Sequence, residues 1–135
     1  MTIEERIAAL KEQYSELSKS KETCETLKNN YINLNNSLSS YGNHVNSALD
    51  FIYGAGKDCE NGGFISGTQI LGGDLIYGIQ SDLENSLESM RDLNSFCINK
   101  MQEYQTKANT YQWQMNSLSV EIGNLIRLKS IKNRK

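Results

Sequence analysis

Proline is absent from this sequence of 135 residues, and histidine and tryptophan each occur only once. Without proline, a long helix meets no obligatory interruption. No stretch approaches the ~20 apolar residues needed to span a bilayer, so we expect no membrane insertion. The only histidine, His44, has no cysteine near it in the sequence. This argues against a zinc site.

Cysteine is also scarce, and no pattern of catalytic residues is present. Cys24, Cys59 and Cys97 show no CxxC spacing, so we expect reduced thiols. Lys57 follows a glycine but precedes Asp58, so the phosphate-loop pattern fails. We therefore predict that the protein is not an enzyme and has no catalytic, cofactor-binding or metal-binding residues and no cofactor.

The net charge is only −2, which argues against nucleic acid as the main partner. The first residues, MTIEERIAALKEQ, are charged and periodic, unlike a secretory signal peptide. We expect a cytoplasmic protein, or one secreted with its partner without a cleaved signal. The basic residues at the end complement a helix dipole, although a tail that binds nucleic acid or lipid is an alternative.

Glycine is concentrated in one segment, residues 54–73, which holds seven of the ten glycines. Each glycine disfavours helix by about 1 kcal/mol relative to alanine. We therefore predict a glycine-rich turn over residues 54–73. Twenty residues is long for a helix connection, so the segment is either functional or contains a short helix, for which Ser66 and Gln69 provide a start.

Apolar residues with alternating spacings of four and three flank this segment, a pattern typical of coiled-coil helices. The first helix is predicted over residues 2–53, opened by a capping box of Thr2 and Glu5. Its stripe is Ile3, Ile7, Leu10, Tyr14, Leu17, Lys21, Cys24, Leu27, Tyr31, Leu34, Leu38, Tyr41, Val45, Ala48 and Ile52. The doubled spacing of three from Cys24 to Leu27 predicts a local overwinding.

The second helix is predicted over residues 74–130, followed by a basic tail over residues 131–135. Its stripe is Leu83, Leu87, Met90, Asn94, Cys97, Met101, Tyr104, Ala108, Tyr111, Met115, Leu118, Ile122 and Leu125. We predict one all-α domain over residues 1–135, an antiparallel two-helix hairpin. The favoured register sets Tyr31 opposite Cys97, but the stripes also match after a slide of one heptad.

A hairpin of two helices covers each apolar stripe from one side only, so we expect a helical partner or a second copy to complete a bundle. The predicted partner-binding residues lie off the stripes: Trp113, Val120, Phe96, Ile98, Ile32 and Phe64. Tryptophan is enriched at binding hot spots, although partial burial by the loop or a bent helix is an alternative for Trp113. The asparagine-rich, uncharged residues 29–46 indicate either a covered face or compositional drift.

The central segment Asn61-Gly62-Gly63-Phe64-Ile65-Ser66-Gly67 stands where proteins of the WXG-like superfamily have a W-x-G turn. The whole chain resembles the small helical proteins of type VII secretion in Gram-positive bacteria, and most of all the YwqH-like partners of LXG polymorphic toxins. The tryptophan of the turn is replaced here. The family's export signal, an aromatic residue followed four positions later by an acid, is also missing at Phe96, Tyr104 and Tyr111.

This resemblance implies a non-enzymatic adaptor or targeting chaperone. Its expected partner is the helical N-terminal domain of an LXG-type toxin, with a second small helical protein as a further partner. The alternative is a structural coiled-coil module that forms homodimers or tethers other proteins.

Overall fold

The structure, a computed structural model, describes residues 1–61 and 66–134, with side-chain surroundings for residues 1–57 and 74–134. Two helices make up this part of the chain, α1 (Ile3–Asn61) and α2 (Ser66–Asn133), and it contains no strand. The protein is an all-α antiparallel helical hairpin with coiled-coil character. This confirms the fold class predicted from the two periodic segments.

The glycine-rich segment differs from its prediction, because most of residues 54–73 are helical. α1 continues to Asn61, and α2 begins at Ser66, the residue proposed as the start of a short helix. No described glycine has a positive φ. A methyl group at Gly56 would lie 3.5 Å from the Ile76 side chain, so α1 and α2 still pack against each other here. Such packing opposes the glycine penalty of about 1 kcal/mol per residue, since helical stability in proteins comes mainly from the packed face.

Both helices are therefore longer than predicted. The helix predicted to end at residue 53 continues through Gly54, and the tail predicted over residues 131–135 is helical as far as Asn133. The start is as predicted, since Thr2 and Glu5 form the capping box. The Glu5 N–H donates to Thr2 Oγ1 at 3.1 Å, and the Thr2 N–H donates to Glu5 Oε2 at 3.0 Å.

Packing divides the chain into two compact units. Unit 1 comprises Met1–Tyr31 and Asn99–Lys135, and unit 2 comprises Ile32–Ile98. Each unit contains part of α1 and part of α2. The prediction of one domain over residues 1–135 stays a prediction. Cys24 in unit 1 and Cys97 in unit 2 are buried free thiols.

The core stripe of α2 is confirmed, because all thirteen predicted residues from Leu83 to Leu125 are buried or half-buried. The stripe of α1 needs correction at Tyr14, Leu34 and Tyr41, whose exposed fractions are 38%, 47% and 62%. Beyond Cys24, one continuous series of half-buried or buried positions is Lys28, Tyr31, Asn35, Leu38, Gly42, Val45, Leu49 and Ile52, and the predicted Leu27 and Ala48 beside it are also half-buried. This series keeps the alternation of four and three without a doubled three, so no local overwinding is needed.

The register of unit 1 also differs from the favoured one. Tyr31 stacks on Tyr104, with ring centroids 6.0 Å apart and an angle of 16° between the rings. Tyr104 lies one heptad beyond Cys97, the predicted neighbour of Tyr31. Heptad stripes alone do not distinguish these registers, because each apolar position repeats every seven residues. The stack of Tyr31 on Tyr104 and the hydrogen bonds of Lys21 and Lys28 to α2, described below, identify the observed register.

Candidate partner-binding surface

Trp113 stands on the side of α2 opposite the core of unit 1, with an exposed fraction of 79%. Met115, two residues later on the opposite side of the helix, packs inside, with an exposed fraction of 6%. Exposed residues at helical spacing of three and four surround the indole on the same face. We call this set the Trp113 face: Thr106, Asn109, Thr110, Trp113, Asn116 and Val120. It carries no charged side chain.

A shallow open groove of about 480 Å³ runs along the Trp113 face. It is lined by Thr106, Asn109, Thr110, Gln112, Trp113 and Asn116. The lining combines one large apolar ring with hydroxyl and amide groups. A large aromatic side chain surrounded by uncharged polar groups is typical of protein interfaces, in which aromatic anchors lie at the centre and polar residues form the rim.

Beside the Trp113 face, a polar ladder joins α1 to α2 in unit 1. Lys21 Nζ donates to Gln112 Oε1 at 2.6 Å, and Gln112 Nε2 donates to Asn116 Oδ1 at 2.8 Å. A second rung repeats this arrangement one heptad away. We define the ladder as Lys21, Gln112 and Asn116 in one rung and Lys28, Gln105 and Asn109 in the other.

In the second rung Lys28 Nζ donates to Gln105 Oε1 at 2.5 Å, and Gln105 Nε2 donates to Asn109 Oδ1 at 2.8 Å. Both rungs therefore hold a lysine ammonium against a neutral amide oxygen, and each glutamine is oriented by an asparagine four residues later. The two asparagines also belong to the Trp113 face. The ladder thus connects the hairpin seam with the exposed tryptophan.

A cluster of charges lies around Tyr104, also in unit 1. Glu103 accepts from Lys100 at 3.0 Å and pairs with Lys107 at 3.2 Å, and Lys107 Nζ lies 5.3 Å from the Tyr104 ring centroid. The hydrogen bond from Lys100, with help from Lys107, lowers the pKa of Glu103. The same bond to Glu103 raises the pKa of Lys100.

The other predicted partner-binding residues are dispersed. Val120 shares the Trp113 face and is 64% exposed. Phe96 and Ile98 in unit 2 are 49% and 40% exposed, whereas Ile32 is half-buried. Phe64 lies outside the described residues. Within unit 1, the structure therefore brings together Trp113 and Val120.

Unit 2 has exposed apolar residues that the sequence analysis did not assign to a partner surface. Phe51, Leu75 and Tyr77 have exposed fractions of 75%, 66% and 71%. Leu34 and Tyr41, predicted in the core, form a heptad pair on the outside. The sequence already indicated this outward position. A stripe through Asn35 and Gly42 keeps the alternating spacing of four and three, whereas the predicted stripe through Leu34 and Tyr41 needs two consecutive spacings of three.

Glycine and asparagine at core positions leave a small groove between α1 and α2 in unit 2. Its volume is about 270 Å³, and it is lined in part by Leu38, Gly42, Asn46, Met90, Arg91 and Asn94. A methyl group at Gly42 would meet no atom within 4 Å. Among the described residues, the buried Oδ1 of Asn35 has no hydrogen-bond partner. This seam is therefore less completely packed than the seam of unit 1 around Cys24 and Met115.

Neither helix contains, within its described residues, a segment apolar enough for membrane crossing. Histidine, cysteine, aspartate and glutamate do not come together in groups of three or more suited to a metal ion in the described part of the chain.

Comparison of the chain with protein-family models, curated proteins and solved structures finds no match.

Proposed function

We propose that this protein is a non-enzymatic helical adaptor that binds a helical segment of another protein through the Trp113 face. The observation that carries the proposal is the exposure of Trp113, 79%, at the centre of an uncharged helix face. Tryptophan is one of the largest apolar side chains, and an exposed indole lacks the favourable free energy that its burial would give. A partner that covers the ring recovers this free energy.

The distribution of apolar residues supports a partner of helical form. Among the described residues, seven hydrophobic side chains are buried and seventeen large ones are exposed. Several of the exposed residues repeat with heptad spacing, such as Trp113 with Val120 and Leu34 with Tyr41. A helix that packs along such a stripe meets one side chain in every second turn.

In its more specific form, the proposal gives the adaptor the helical N-terminal domain of an LXG-type toxin as its partner, for export by a type VII system. This part rests on the resemblance of the chain to the YwqH-like proteins in length, hairpin pattern and central segment. The adaptor would travel with the toxin or remain in the cytoplasm as a targeting chaperone.

The test is affinity capture from native cells, followed by identification of the bound proteins and measurement of their affinity for the purified chain. We expect Trp113→Glu to weaken partner binding by about 30-fold or more, because it places a charge at a buried hot spot. Gln114→Glu is the matched control, since Gln114 is exposed but lies off the Trp113 face. Equal binding by wild type and the Trp113→Glu variant would contradict the assigned surface.

The captured protein decides the identity of the partner. A large protein with a helical N-terminal domain and a C-terminal toxin domain would support the toxin adaptor. Recovery of this chain alone would favour the alternative, a structural coiled-coil module that associates with itself.

One observation favours that alternative. Unit 1 contains twelve lysines and arginines and eight acidic residues, a net charge of +4, whereas unit 2 contains two and eight, a net charge of −6. Opposite charges on two parts of one chain favour the association of unit 1 of one copy with unit 2 of another. Sedimentation of the purified chain at low and high salt tests this arrangement.

A further inference from the structure

The two lysines of the polar ladder occupy unusual places. Lys21 and Lys28 lie on the core stripe of α1, one heptad apart, in the series that also contains Ile7 and Leu49. Ile7 and Leu49 are buried apolar residues, with exposed fractions of 9% and 5%. The hairpin therefore holds two cationic groups at positions where an apolar side chain would pack.

The charges of these lysines are incompletely neutralised. Lys28 Nζ is bonded to the neutral Gln105, and no described carboxylate lies within 4.0 Å of it. Lys21 has Glu25 at 3.6 Å, an exposed acid on the same helix. Water can solvate both ammonium groups only while the seam remains uncovered. Covering them with an apolar surface would leave an unpaired buried charge, which is strongly unfavourable.

Both lysines border the surface proposed for the partner. Lys28 lines an open groove of about 330 Å³ together with Met101, Gln102, Gln105 and Thr106. Thr106 also lines the groove of the Trp113 face. Gln112, the neighbour of Lys21, lines that groove as well. A helix that covers Trp113 and continues along α2 would therefore reach the ladder.

We propose that the partner helix carries two carboxylates one heptad apart, beside its apolar stripe, and that Lys21 and Lys28 select it by pairing with them. Seven residues of helix span about 10.5 Å, so equal heptad spacing on both helices aligns the two pairs. The ladder bonds hold the ammonium groups in place before binding, which lowers the entropy cost of pairing. This inference rests on the proposed binding of a helix to the Trp113 face.

The test uses two synthetic amphipathic helices of about four heptads with one leucine stripe. They differ at two flanking positions one heptad apart, which are Glu in one peptide and Gln in the other. Trp113 is the only tryptophan of the chain, so its emission reports covering of this face directly. At low salt we expect the Glu peptide to bind about tenfold more tightly than the Gln peptide, and salt to reduce the difference.

Variants of the full chain assign the preference to the ladder. Lys21→Gln combined with Lys28→Gln removes both charges and should abolish the preference for the Glu peptide. Lys11→Gln combined with Lys19→Gln removes two exposed charges elsewhere on α1 and should preserve it. A reversed pair, Lys21→Glu with Lys28→Glu, should prefer a peptide with Lys at the two positions. Circular dichroism verifies that each variant is folded.

The possible results separate the two proposals. Equal affinity of both peptides for the wild type, or a preference that survives Lys21→Gln with Lys28→Gln, would overturn the carboxylate pairing while leaving helix binding intact. Failure of both peptides to bind or to shift the Trp113 emission would overturn helix binding as well. Dimerisation of the wild-type chain that the Lys21→Gln and Lys28→Gln changes abolish would make the occupant a second copy and overturn a foreign partner.

Discussion

At the scale of single residues, Glu103 shows how the surface of unit 1 is organised. Its carboxylate lies between Lys100 and Lys107, and Lys107 also lies over the Tyr104 ring that stacks on Tyr31. Each of these exposed contacts is weak alone. Together they surround the aromatic stack at the α1–α2 contact, and this stack distinguishes the observed register from the one displaced by a heptad.

The lowered pKa of Glu103 predicts how this cluster responds to pH. A carboxyl whose pKa is lower in the folded state stabilises the fold above its unfolded pKa, and this contribution disappears as the pH falls through the folded pKa. We expect the NMR titration midpoint of Glu103 to lie below the ordinary value of 4.5. Lys100→Met should raise the midpoint, whereas Lys19→Met on α1 should leave it unchanged. A midpoint at or above the ordinary value would contradict the observed pairing.

At the scale of elements, the helices tolerate residues that usually interrupt them. α1 contains Gly42, Gly54 and Gly56, and α2 contains Gly78 and Gly123. A polar series also follows the core stripe of α1 through Lys21, Lys28 and Asn35. Both features reduce local stability. Packing of α1 against α2 compensates, because helical stability in proteins comes mainly from the packed face rather than from propensity.

The exposed glycines predict a simple gain in stability. Methyl groups at Gly54 and Gly78 would meet no atom within 4 Å, and both residues are exposed within helices. Gly54→Ala combined with Gly78→Ala should raise the free energy of unfolding by about 1–2 kcal/mol, measured by urea denaturation. Ala8→Gly, at an exposed helical position, should lower it by a similar amount per residue. A loss of stability in the alanine variant would show that these positions are not helical in solution.

At the scale of the whole molecule, few side chains are fully buried. Leu10 and Cys97 are the largest side chains with exposed fractions below 2% in the part of the chain that the structure describes. Unit 1 contains most of the buried residues, and unit 2 has the groove at Gly42 and the unpaired oxygen of Asn35. So small an interior supports the proposal that a partner contributes to the stability of the chain.

The proposed partner predicts the thermal behaviour of the purified chain. If the partner is a different protein, the unfolding midpoint should be independent of chain concentration over a roughly 100-fold range and should rise when the partner helix is added. Circular dichroism at the helical minimum measures both effects. A midpoint that rises with chain concentration would instead support self-association, and the alternative of a structural coiled-coil module would then be preferred.

The sequence by itself determined the fold class, the start of α1 and the core face of α2. These follow from local rules: a capping box needs residues three positions apart, and the heptad from Leu83 to Leu125 has only Asn94 as a polar interruption. The outward position of Trp113 was also predictable, because the indole lies off that stripe.

The tertiary structure alone decided the length of the helices and the register. Glycine propensity predicted a long turn, but the approach of the Ile76 side chain to the backbone at Gly56 occurs only when the two helices pack. Repeating heptads leave the register degenerate, and the Tyr31–Tyr104 stack lies between residues distant in sequence. The path of the α1 stripe follows from the sequence once the helix is known to be unbroken. Asn35 and Gly42 face the seam because such a helix continues its own periodicity, whereas side-chain polarity had directed the prediction to Leu34 and Tyr41.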